Sequence, residues 1–335
     1  MPSGWKWFAF LCLAVAAAGS CARQPGARGQ RQVFIVGYDA TKEAREAILS
    51  GGPLKADVIQ YPRKIGEITI STMARYLRGG KVPRLIPVEV GMVDRQALLR
   101  EQQAQERKQA GQRSVERPIA GFPGFRERPK VGVTLLTRQH EFYQDLEAAM
   151  IEAAKQEGLD LEILSCDFKV QKQTDQVEDF ITSRVSAIVV CPADSEAIAG
   201  AVKRANQAGV PVFTADITAH GGKVVSHIAS DNVQGGRLAG EYMAKLLKGK
   251  GNIVIITHPV TTSVQDRVAG FKQAISKYPA IKILDEPTGE GQRAKAAQVM
   301  ENMLEAHANL DAVFAINDDT ALGAVSVLKR RQGIR

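Results

Sequence analysis

Cysteine is scarce in this chain: four in 335 residues, too few for a disulfide framework. No apolar run reaches the roughly 20 residues that a spanning helix needs; FAFLCLAVAAA, over 8–18, stops at 11. G-x-S-x-G, H-E-x-x-H, a Walker A loop and a G-x-G-x-x-G after a strand are all absent, so no enzyme reading emerges from the motifs. His140 stands without the Cys, His or carboxylate spacing of a metal site, and nothing in the sequence implies a metal or a cofactor. Acid is missing from residues 1–30, which hold Lys6, Arg23 and Arg28.

What is present is ordinary for a folded chain. Hydrophobic residues make up 44% and charged ones 24%, which excludes wholesale disorder. The length suggests two domains. The net charge of +8 would ordinarily point to a polyanionic partner. Its distribution argues otherwise: +3 lies in residues 1–30 and +5 in residues 95–130, leaving the remainder neutral. Residues 95–130, rich in Gln, Arg and Glu, read as a linker with a helix-compatible first half. A self-repelling basic stretch of this kind is a solvated spacer rather than a nucleic-acid arm.

The first residues read as an export signal over 1–21, followed by a short tether at 22–30. Ala18, Gly19 and Ser20 before Cys21 allow two outcomes. One is cleavage before Cys21 with lipidation of its sulfur; the other is plain cleavage near Ser20–Ala22. Either places the protein in the periplasm, lipid-anchored or free.

From residue 131 short β-rich runs alternate with amphipathic helical stretches. Strands are expected at 131–136, 161–165, 187–191, 210–216, 224–230, 252–258, 281–286 and 312–318. The helix over 141–158 places Phe142, Leu146, Ala149, Met150 and Ala153 on one face and stops at Gly158. Residues 31–94 continue the pattern, with strands at 33–39, 57–61 and 84–90. Strands without internal alternation, separated by helices, imply parallel sheets covered on both faces. The helix at 320–330 lacks a following strand, and VFIVGYD (33–39) supplies one.

These residues carry a resemblance. ANQAGVPVFTAD (205–216), VVSHIASDNVQGGRLAGEYM (224–243), VMENMLEAH (299–307) and AVFAINDDTALGAV (312–325) resemble the ribose-binding proteins, periplasmic sugar-binding components of ABC importers. VFIVGYDATKEA (33–44), ADVIQYPRKIG (56–66) and GGKVPRLIPVEV (79–90) resemble the remaining quarter of the same family. The resemblance implies an α/β fold of two doubly wound parallel-sheet lobes joined by a three-segment hinge, the type I periplasmic binding protein fold, in circularly permuted order. Residues 131–229 and 59–88 would form the N-terminal-type lobe, and 230–335 and 31–58 the C-terminal-type lobe. Residues 89–94 would be a hinge strand, with further crossings near 228–232 and 60–62. Strand 33–39 is then expected beside 312–318, bringing Arg31 near Arg335; the competing arrangement is a swapped dimer.

The resemblance also implies a ligand site. Asp216, Asn317, Asp39 and Gln60, each at a strand end, match residues that hold ligand hydroxyls, and Arg267 matches the family's C-lobe arginine. Such groups suit a sugar, whose hydroxyls both donate and accept. Phe142 and Tyr143 stand where rings are expected against the sugar faces. For Asp39 and Asp216 the bland alternative is helix capping, and for Phe142 it is core packing. Asn317 is placed to cap a helix as well as to bind.

Four positions depart from the family pattern: Ile217 replaces a basic residue, Cys191 an amide, Gly291 an aromatic, and His140 one of an amide pair. Cys191 reads most simply as a small buried residue. Gly235–Gly236 reads as tight packing rather than a phosphate loop. The expectation is a monomeric sugar or polyol binder serving an ABC permease, without nucleic acid. A receptor feeding a sensor kinase or chemoreceptor is the main alternative, and a lactose-repressor-type regulator lacks its N-terminal helix-turn-helix here.

Overall fold

The computed structural model describes residues 32–109, 125 and 127–331. The leader, the tether with Cys21, most of the linker's second half and the terminal pair Arg31 and Arg335 lie outside the described residues.

Two six-stranded sheets organise these residues. The first holds β1 (Phe34–Asp39), β2 (Leu54–Ile59), β4 (Gly91–Asp94), β10 (Lys250–Ile256), β11 (Ala280–Asp285) and β12 (Ala312–Ala315), in the order β11-β10-β12-β1-β2-β4. The second holds β3 (Leu85–Val88), β5 (Lys130–Leu135), β6 (Asp160–Ser165), β7 (Ala187–Val190), β8 (Val212–Ala215) and β9 (Val224–Ser230), ordered β3-β9-β8-β7-β5-β6. Every pairing is parallel except β2 with β4. AIVV and AVFA, buried at every position, show why: runs without polar alternation must be covered on both faces.

The covering helices sort by lobe. Over the first sheet lie α1 (Lys42–Leu49), α3 (Arg95–Gln109), α7 (Asn232–Leu246), α8 (Thr262–Ile275), α9 (Arg293–Ala306) and α10 (Asp318–Arg331). Over the second lie α2 (Pro62–Leu77), α4 (Glu141–Glu157), α5 (Val170–Thr182) and α6 (Ala199–Gln207). Local chemistry sets their ends. Thr41 caps α1 by accepting from Ala44 N, Pro62 opens α2, and Gly158 ends α4 at φ 71°. Gly235 and Gly236 let α7 lie close: a Cβ on Gly236 would collide with the Arg267 carbonyl oxygen on α8.

β1 lies between β12 and β2, with Phe34 opposite Ala312 and Val36 opposite Phe314. The strand at the start of the described chain is thus central to the sheet that the last strand also joins. Among the described residues the backbone can be followed from one lobe to the other at Gln60–Tyr61, Glu89–Val90 and Asp231. The last two are tied together, Asp231 N donating to Val88 O at 2.9 Å.

Two stretches sharpen the sequence expectations. The strand expected at 84–90 is shorter, β3 ending at Val88; the chain then changes lobe at Glu89–Val90 and continues as β4 within the expected 89–94, antiparallel to β2. The helix-compatible first half of 95–130 is helix α3, and it is docked rather than a solvated spacer: Leu98, only 3% exposed, anchors it in the apolar cluster of Ile48, Leu54 and Val93.

Candidate functional site

The strand ends of both lobes face one another across a narrow cavity of about 40 Å³. Eight of the nine side chains singled out in the sequence line it: Asp39, Gln60, His140, Phe142, Tyr143, Asp216, Arg267 and Asn317. Cys191 does not. It directly follows β7 in the apolar core, its carbonyl accepting from Gln173 Nε2 at 2.9 Å, and burial pushes its thiol pKa up. A small, poorly solvated side chain at that position packs inward rather than reaching the cavity.

Each aspartate is held away from a capping role. Asp39 ends β1 with φ 123° and Asp216 follows β8 with φ 65°, backbone that L side chains adopt at an energetic cost. Thr41, not Asp39, caps the next helix. Asp57 and Asp318 hold the turn after Asp39: Ala40 N donates to Asp57 Oδ1 at 3.3 Å and Thr41 N to Asp318 Oδ2 at 2.7 Å. Asn317, by contrast, spends Oδ1 on Thr320 N and Nδ2 on Gly291 O, so the helix-capping reading holds for it.

Arg267 is the central cation and is only 4% exposed. Its Nε donates to Asn232 Oδ1 at 2.9 Å and its Nη1 to Ile316 O at 2.7 Å, while the guanidinium stacks 3.9 Å from the Tyr38 ring centre. Nη1 lies 3.9 Å from Asp39 Oδ1. Burial drives the Asp39 and Asp216 carboxyls above the ordinary carboxylate range, and Arg267 opposes that drift at both. Gln60 Nε2 donates to Asp39 Oδ1 at 2.5 Å, and Tyr143 donates its hydroxyl to Asp216 Oδ2 at 2.6 Å.

Three buried acceptor-capable atoms in the cavity wall have no partner among the described residues: Asp216 Oδ1, Gln60 Oε1 and His258 Nε2. Buried polar atoms are normally bonded, so a cluster of three marks a place built to meet a polar molecule. Phe142, Tyr143, Phe168 and Ile217 give the cavity its apolar faces.

The lobes are closed on one another. Thr262 N donates to Ser195 Oγ at 3.1 Å, Ser195 N to Val260 O at 3.0 Å, and Lys42 N to Glu141 Oε1 at 3.0 Å. His140 Nε2 lies 3.3 Å from Asp319 Oδ2 of the opposite lobe. Burial lowers the His140 pKa, and Asp319 pulls it back. Asp216 and Arg267 are only 5% and 4% exposed in this closed arrangement.

Sequence reasoning missed Phe168 and His258. The strand-end rule would have found His258, the last residue of NIVIITH. Phe168, in left-handed backbone (φ 63°) two residues beyond Cys166, follows no periodic signal; its ring meets His140 edge-on at 5.4 Å.

Residues 131–334 match the periplasmic binding protein domain. Among curated proteins, the ribose import binding protein of Escherichia coli (strain K12) is 37% identical over 201 residues, covering 59% of this chain and 67% of that protein. The D-ribose/D-allose-binding protein of Pseudomonas aeruginosa is 34% identical over 214 residues, 61% and 67% of the two chains. Among solved structures, the fructose binding periplasmic domain of a hybrid two component system superposes with TM-score 0.58 at 32% identity, covering 62% of this chain and 69% of that one. A Caulobacter myo-inositol binding protein bound to myo-inositol superposes with TM-score 0.59 at 27% identity, covering 64% and 74%.

Proposed function

Because the chain belongs to the periplasmic binding protein domain family, we propose that it captures a monosaccharide or sugar-like polyol between its lobes and presents it to an ABC importer. The observation that carries this is the pair of orphaned buried acceptors, Asp216 Oδ1 and Gln60 Oε1, in the wall of one cavity that Arg267 also lines. Carboxylate and amide oxygens accept from hydroxyl hydrogens while the guanidinium donates to hydroxyl oxygens, a pattern that suits a molecule offering both at adjacent carbons. Phe142 and Tyr143 present ring surface to the C–H faces. Five of the nine sequence-derived residues, Gln60, Phe142, Tyr143, Asp216 and Arg267, carry the ligand contacts in this reading.

The mechanism follows from the crossings at Gln60–Tyr61, Glu89–Val90 and Asp231. With the lobes parted, the ligand enters and bridges Asp216 and Arg267; contacts made only in the closed state then shift the equilibrium toward closure. Micromolar binding corresponds to about −8 kcal/mol, a few charge-assisted hydrogen bonds beyond the ordering cost. The closed face is what a permease would recognise. The likeness to a periplasmic domain of a hybrid two component system supports a second reading, in which the closed form signals to a sensor kinase. The protein works outside the cytoplasm, and among the described residues no helix is long and apolar enough to cross a membrane. Lipidation at Cys21 belongs to the same proposal.

The order of the fold is proposed to be rotated: the family match begins at residue 131, yet both sheets are completed by strands from 34–94. A thermal-shift panel of pentoses, hexoses and cyclitols tests the function. At least one should raise the wild-type midpoint and leave Asp216→Ala unmoved. The absence of any wild-type-specific shift would sink the sugar reading.

A further inference from the structure

A second, larger cavity of about 540 Å³ adjoins the first and shares Asp39, Gln60 and Phe142 with it. Its walls are α1, the first turns of α2 and α4, and α3, which belongs to the basic stretch outside the family match. The walls are firmly held. Leu98 seats α3 in the core, and Arg45 of α1 donates Nη1 to Glu101 Oε2 of α3 at 2.8 Å and Nε to Ala40 O at 2.8 Å. At the neck between the cavities sits Gln60, 5% exposed, its Oε1 without a partner among the described residues. Gln60 lines both cavities, so a partner for that acceptor could come from a molecule that spans them.

We propose that the sugar ring bound between the lobes carries a second uncharged polyhydroxyl unit, as in a disaccharide or a cyclitol glycoside, and that this unit occupies the outer cavity. The inference rests on the sugar reading of the inner site and names the ligand class for it. A free monosaccharide would leave the larger volume and its polar lining unused. The outer lining offers Lys42 and Arg45 against Glu46, Glu101, Glu141 and Asp145, an excess of acid that repels phosphorylated or carboxylated extensions. Carboxylates, a guanidinium and an ammonium around a small apolar floor of Leu49, Leu98 and Pro62 suit further hydroxyls and their C–H faces.

Isothermal titration of the full chain compares D-glucose, D-fructose, D-galactose and myo-inositol with maltose, sucrose, melibiose and galactinol, which are assembled from them. At least one two-unit ligand should bind tenfold or more tightly than either of its parts. Leu49→Trp and Glu46→Trp, which fill the outer cavity from α1, should erase that gain and leave free-sugar affinity within about threefold. Glu46 is exposed, so its variant keeps the test open if Leu49→Trp disturbs folding. Free sugars binding with no gain for any two-unit ligand overturns the inference alone, as does a gain that survives both variants. No binding by either set overturns the sugar reading itself.

Discussion

Arg267→Met should destabilise the protein in a manner that depends on pH. Methionine keeps the length and apolar stem of the side chain and removes its charge. The attraction lost is set by the 3.9 Å between Nη1 and Asp39 Oδ1. At an effective dielectric near 20 this is about 4 kcal/mol, within the roughly 3–5 kcal/mol seen when one partner of a buried pair is removed. The hydrogen bonds to Asn232 and the Ile316 carbonyl go too. The distinguishing feature is the protons. Burial raises the Asp39 and Asp216 carboxyls and Arg267 restrains both, so the variant's folded state holds more protons than the wild type's. Stability then falls with rising pH relative to wild type, by up to about 1.4 kcal/mol per pH unit for each extra proton. Urea unfolding at pH 5, 6, 7 and 8 should show a gap that widens by about 1–4 kcal/mol toward pH 8. A gap constant across that range would show that Arg267 acts through packing and hydrogen bonds alone, and the electrostatic reasoning would be wrong.

Further outcomes follow from other parts of the fold. Burial depresses the His227 pKa to about 4; its Nδ1 lies 2.9 Å from Thr214 Oγ1. Above pH 6.5 neither state is protonated there; between 6.5 and 4 only the unfolded state takes up the proton, which removes about 3 kcal/mol by pH 4. His227→Gln should flatten that part of the stability–pH curve, and an unchanged curve would refute the assignment. Gly236→Ala should cost about 1–3 kcal/mol in chemical denaturation, because the new methyl meets the Arg267 carbonyl; a neutral result would mean that α7 and α8 part freely. A reordered chain with residues 131–331 preceding 32–94 should keep the ligand specificity of the natural order. Loss of binding in a folded reordered chain, by calorimetry, would count against the proposed rotation.

The fold was legible wherever local pattern and lobe architecture agree. Runs such as AIVV and AVFA can only be doubly covered strands, and Gly158 could only end its helix one way. The end of the strand within RLIPVEV was less legible: β3 stops at Val88, two residues short of the apolar run, because the crossing to the other sheet leaves the local periodicity intact. The docking of helix α3, though not its helical character, was hidden by the composition of its surroundings: Leu98 seats it in the core while Gln, Arg and Glu dominate the average. At the site, strand-end chemistry and the family resemblance located Asp39, Asp216 and Arg267, which the geometry brings to one cavity. Cys191 shares the strand-end position without sharing the direction, because its neighbours bury it. Phe168 depends on an unusual backbone conformation that no spacing announces.

The position of β1 bears on how the protein is made. Its partner β2 follows after one short helix, starting at Leu54, but its other edge pairs with β12, where Phe34 meets Ala312. During synthesis and vectorial transport the first strand of this sheet emerges with one neighbour and waits for almost the entire chain before the second arrives. Closing a loop of that span costs about 5 kcal/mol in chain entropy, and until it closes, Ile35, Val36 and Tyr38, all fully buried in the finished sheet, belong to an open edge. Translocation therefore delivers an adhesive half-sheet first. A nascent-chain holdase that shields the β1–β2 edge would protect the yield of this protein more than that of a relative whose central strands are synthesised together.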